Sequence, residues 1–156
     1  MRKRVILALP LLALAAACGG SSSPSGSTDY SPNYVGTYSG TYTTSFTPIS
    51  TGQTSTYAYQ TAFQIFAGLG ASDLAFGGSC ALTGHASSAS NFITFQNNCT
   101  THDTASNCDY TYYLQAGAGT KNGTTLTMSI PGTYAVNCPT GSDSGTMNLT
   151  WNMIQQ

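Results

Sequence analysis

Three observations predict an all-β domain. Apolar and polar residues alternate with period two along most of the chain, turn signals recur at nearly even spacing, and no stretch of ten residues holds a helical period. The expected architecture is an antiparallel up-and-down meander of eight or nine strands closed as a barrel, with a two-sheet β-sandwich as the alternative. Closure is favoured because charged residues make up only 6% of the chain, too few to guard many open sheet edges.

The first strand is read from residues 34–46, YVGTYSGTYTTSF, where Tyr34, Tyr38, Tyr42 and Phe46 recur at every fourth position. Alternation puts these aromatics on one face together with Gly36 and Gly40, and Val35, Thr37, Ser39, Thr41 and Thr43 on the other. Large aromatics are mostly spent on burial, so this is a barrel strand rather than an exposed platform. The two glycines then mark points of sharp curvature. In TYAYQTAFQIFA, Tyr57, Tyr59, Phe63 and Ile65 share a face opposite Ala58, Gln60 and Gln64. Shorter strands are expected at 73–76, 80–83, 92–96, 109–115 and 134–138. TTLTMSI presents Leu126, Met128 and Ile130 on one face, and GTMNLTWNMI presents Met147, Leu149, Trp151 and Met153. The turns between them are AGLGAS, GHASSAS, AGAGTKNG, Pro131–Gly132 and PTGSDSG.

The chain opens MRKRVILALPLLALAAAC, a basic segment followed by an apolar run too short to span a bilayer, which is the pattern of a signal peptide over residues 1–17. Ala15, Ala16 and Ala17 before Cys18 resemble the lipobox of bacterial lipoproteins. That resemblance implies lipidation of Cys18 and a membrane anchor, and Gly19 rather than Asp after the cysteine resembles lipoproteins sent to the outer membrane. Residues 18–33, rich in Gly, Ser and Pro, read as a flexible linker, and residues 34–156 as one domain. Three of the four cations lie in the leader, so cleavage would leave Lys121 against five aspartates, a net charge of −4. No basic patch can be built from one lysine, which excludes a nucleic-acid partner.

Cys80, Cys99, Cys108 and Cys138 form an even set that reads as two disulfides in an exported protein. If 80–83 and 92–96 form a hairpin, Cys80 and Cys99 lie near its open end and pair, leaving Cys108 for Cys138. Cys99–Cys108 with Cys80–Cys138 stays open. The rival metal reading of Cys99, His102 and Cys108 has no tight zinc spacing. His102–Asp103 and His85 lie in polar loops without a nucleophile motif, so no catalytic residue, metal or cofactor is expected.

Gly36–Thr37–Tyr38 at the head of the first strand resembles the G-x-W start of the lipocalin-like barrels, with Tyr in place of Trp. The resemblance implies a closed barrel with an interior cavity. Its candidate walls are Tyr38, Tyr42, Phe63, Ile65, Met128, Leu149 and Trp151, and the expected partner is a small apolar or amphipathic ligand. The alternative is a surface interaction module with a solid core, in which Tyr110, Tyr112 and Tyr113 take a glycan on their aromatic faces.

Overall fold

The computed structural model describes residues 27–78 and 80–156, so the expected leader, residues 1–17, and Cys18, the expected lipidation site, lie outside the described residues. Among the described residues, ten strands make one antiparallel sheet: β1 (Gly36–Pro48), β2 (Ser55–Ala67), β3 (Asp73–Phe76), β4 (Leu82–Ala86), β5 (Asn91–Thr94), β6 (Asn97–Asp103), β7 (Cys108–Leu114), β8 (Gly117–Asn122), β9 (Thr125–Cys138) and β10 (Gly141–Gln155). Consecutive strands pair from β1 to β5 and from β8 to β10, and β1 pairs with β10 along Tyr38–Pro48, which closes a ring. The β6–β7 hairpin stands aside from that order. β5 pairs with β8, while β7 pairs with β9.

Three segments depart from the expected strands, and in each the strand partners account for the difference. β6, NNCTTHD, has no apolar alternation to read, because it pairs only with β7 and its residues are exposed or half-buried. β8, GAGTKN, turns glycines inward. A Cβ on Gly119 would run into the Phe92 ring, so the strand's contribution to the core is the room it leaves for a neighbour. Pro131–Gly132, expected as a turn, lies inside the continuous strand β9. Residues Thr125–Ser129 of β9 pair with β8, and Gly132–Asn137 pair with β7. Gln115 N–H donates to Pro131 O, so residue 131 faces the seam where one neighbour hands over to the other. A missing proline N–H there breaks no ladder bond.

That handover divides the molecule. At one end, eight strands close around a packed core in which Tyr34, Tyr38, Ile65, Phe92, Leu126 and Met153 are at most 1% exposed. The buried hydroxyls are satisfied: Tyr38 Oη donates to Tyr34 O at 2.7 Å and Tyr34 Oη to Ser88 O at 2.9 Å. Burial pushes both phenols up to about 12. Gly40 serves this end as well, since a Cβ there would collide with the Asn152 carbonyl oxygen of β10. At the other end β3, β4, β5 and β8 give out, and a curled sheet of β2, β1, β10, β9, β7 and β6 continues alone.

Hydrogen bonds to the turn before β3 begin before Tyr34, the expected start of the domain. Asp29 Oδ1 accepts from the N–H groups of Ser31 and Ser72, at 2.9 and 2.7 Å. Ser72 Oγ accepts from Tyr30 N–H at 2.8 Å and donates to Thr28 O. These bonds fasten residues 28–33, including the 3-10 turn Ser31–Asn33, against the closed end.

Two disulfides, Cys80–Cys99 and Cys108–Cys138, hold the open end. The second would be out of reach in a simple meander. It forms because the β6–β7 excursion brings β7 beside β9, with Asp109 opposite Asn137 next to the bond.

Candidate binding cleft

The inner faces of the extended sheet line a cleft of about 780 Å³, within the roughly 300–1,000 Å³ of small-molecule sites. β1 contributes Tyr42, Thr44 and Phe46, and β2 contributes Tyr57, Tyr59, Thr61 and Phe63. Tyr110 and Tyr112 come from β7, Tyr134 and Val136 from β9, and Met147, Leu149 and Trp151 from β10. Each position follows from period two: alternate residues of these strands face inward, and this sequence puts an aromatic at most of them. Tyr57 and Tyr59 face inward yet are 50% and 48% exposed, which places the opening on the side of β2.

The aromatics are ordered against one another. Tyr42 and Tyr59 stack with ring centroids 5.0 Å apart, and Tyr110 and Tyr112 stack at 6.3 Å. Trp151 packs on Phe63 at 4.4 Å and forms the floor, where the cleft meets the packed core through Phe76. Phe46 meets the Tyr134 ring edge-on at 5.0 Å. Tyr134 Oη donates to Asp143 Oδ2 at 3.3 Å, and among the described residues Asp143 is the one charged member of the lining. Burial, then the neighbouring Tyr59, pushes the Tyr42 phenol up. Burial does the same at Tyr112, and at Tyr134 together with the adjacent Asp143 carboxylate. These groups stay neutral at physiological pH. The cleft thus offers aromatic faces and neutral hydroxyls, a surface for stacking and hydrogen bonding.

Of the expected wall residues, Tyr42, Phe63, Leu149 and Trp151 line the cleft. Tyr38, Ile65 and Met128 do not: they lie in the packed core at the closed end, each at most 3% exposed. The correction has a simple origin. All seven face inward, but only half the barrel length is hollow, and period two says nothing about depth along the axis. Tyr57 and Tyr59 were recognisable as inward-facing from their place beside Phe63. Tyr110 and Tyr112 face the cleft, while Tyr113 lies outside, 47% exposed. The tyrosine surface therefore divides between two faces of β7.

The histidines pair across strands rather than along the chain. His102 Nδ1 lies 2.8 Å from Asp109 Oδ1, and His85 Nδ1 lies 3.0 Å from Asp73 Oδ1. Asp103 instead accepts from Ser106 Oγ and the Ala105 N–H, which hold its carboxyl below the usual range. Among the described residues, no three of His, Cys, Asp and Glu are grouped to hold a metal ion. No family model, curated protein or solved structure matches the chain.

Proposed function

We propose that this chain is a non-catalytic binding protein of the bacterial envelope, anchored through Cys18 at the outer membrane, that holds a small neutral amphipathic ligand in its aromatic cleft. The observation that carries the reading is the lining: six tyrosines, two phenylalanines and Trp151 around an open hollow with a single carboxylate. Aromatic area of this kind left half-exposed on a sheet costs solubility unless something covers it. The leader pattern and the lipocalin-like start of the first strand support the address and the mode of binding. Phenols and threonine hydroxyls among the rings also suit a sugar, whose apolar face stacks while its edge hydroxyls find partners. An oligosaccharide is thus the second reading for the same hollow.

The test uses the protein's only tryptophan. Native mass spectrometry of the chain purified from its own bacterium is expected to show a bound small molecule. Titration of that molecule, or of lipid and oligosaccharide panels, is expected to shift Trp151 emission, and Tyr59→Ala is expected to weaken uptake by about tenfold, roughly 1.4 kcal/mol. A bare mass together with unchanged emission across both panels would overturn the ligand reading.

A further inference from the structure

We propose that the far edge of β2 is a self-association surface, on which β2 of a second copy of this chain adds in antiparallel register. Among the described residues no strand pairs with that edge from Ser55 to Phe63, because β3 reaches only Ile65–Ala67. Gly77 N–H donates to Gln64 O across the β2–β3 seam. Backbone direction alternates along a strand, so Thr56, Ala58 and Gln60 also turn their N–H and C=O groups away from β1. All three residues are exposed.

Natural sheets guard their edges with charge, proline, bulges or brevity. The edge of β6 obeys: it is seven residues long and ends in His102 and Asp103. The edge of β2 does not. STYAYQTAFQIFA is thirteen residues with no charge, proline or glycine. Charge also selects the occupant. Asp103, Asp109 and Asp143 sit at the open end of the barrel, and Lys121 lies on β8 at the closed end. A basic peptide finds carboxylates on the β6–β7 side and none along β2, whereas two uncharged β2 edges meet without repulsion.

The register is self-complementary. A two-fold axis at Ala58 sets Ala58 opposite its counterpart and Thr56 opposite Gln60, all in hydrogen-bonded positions. Tyr57 of one copy then lies opposite Tyr59 of the other, on the cleft side. The two clefts become one aromatic trough. This association stands independently of what the cleft holds.

The experiment is cross-linking and sedimentation of the full chain. Hydrogen-bonded antiparallel pairs hold Cα atoms about 5.5 Å apart, inside the roughly 4.4–6.8 Å that a disulfide spans. Ala58→Cys is therefore expected to give a disulfide-linked dimer on non-reducing gels, and Thr100→Cys on β6 is not. Wild type is expected to sediment as a dimer. Ala58→Pro, which deletes a donor that the monomer leaves unpaired, is expected to weaken it by about tenfold or more. Should the proline variant lose its cooperative melt, Ala58→Lys replaces it by setting two cations face to face on the axis. Wild type monomeric at every concentration, cross-linking through position 100 instead of 58, or a dimer indifferent to the edge variants would overturn the proposal.

Discussion

Tyr38 and Tyr59 are the same residue type on paired strands, both facing inward, yet their substitutions are expected to behave in opposite ways. Tyr38 is fully buried, its ring stacks on Phe63 at 5.7 Å and its hydroxyl is spent on the Tyr34 carbonyl. Tyr38→Ala should cost about 3–5 kcal/mol, as for other buried aromatics. Tyr59 is half-exposed and its ring stacks on Tyr42, so Tyr59→Ala should cost no more than about 0.5–1.5 kcal/mol. Urea unfolding of the two variants separates them by midpoint. Comparable losses would mean that the hollow is packed in solution and the cleft is not a cleft.

At the scale of strands, the long amphipathic segments were legible because each carries its own pattern. β1, β2 and β10 were expected within a few residues of where they stand. β6 and β8 were not legible, since a polar strand and a glycine strand carry no apolar stripe; their partners define them. The break in the meander was hidden for the same reason, and with it the reason that Cys108 meets Cys138. That disulfide, with a sequence separation of 30, clamps β7 onto β9 at the open end. Replacing both cysteines with alanine should lower stability by about 3–4 kcal/mol on loop-closure grounds. The loss should appear as a lower melting temperature together with weakened ligand uptake, because Tyr110 and Tyr112 are carried on the freed strand. A melting temperature that falls while uptake is unchanged would detach β7 from the binding surface.

For the molecule as a whole, stability against pH is set by phenols at one extreme and aspartates at the other. Tyr34 and Tyr38 rise from an ordinary value near 10 to about 12 through burial, so folding favours the neutral forms. Their contribution is complete below pH 10 and is lost as the pH climbs through 12. Unfolding in alkali should therefore coincide with a steep step in tyrosinate absorbance over that window. A smooth titration with no loss of structure would contradict the burial of these rings. In acid the sign reverses. The carboxyls of Asp29, Asp73 and Asp103 are held below the usual range by hydrogen bonds, chiefly from Ser31, His85 and Ser106 respectively. What they add is present above the ordinary carboxylate value and fades as the pH falls through their folded values.

The pairing of β1 with β10 also fixes an order of events in time. As the chain emerges, β1 can find β2 at once, but its other neighbour is the last strand of the described sequence. Gln156 N–H donates to Thr37 O, across more than a hundred intervening residues. Until β10 arrives, β1 and β9 each keep an open edge and the core lacks Met153, which is fully buried in the finished fold. Proteins dominated by such distant pairings fold slowly, typically in milliseconds to seconds. The newly made chain must therefore wait with the free edge of its first strand uncovered until the final strand is in place.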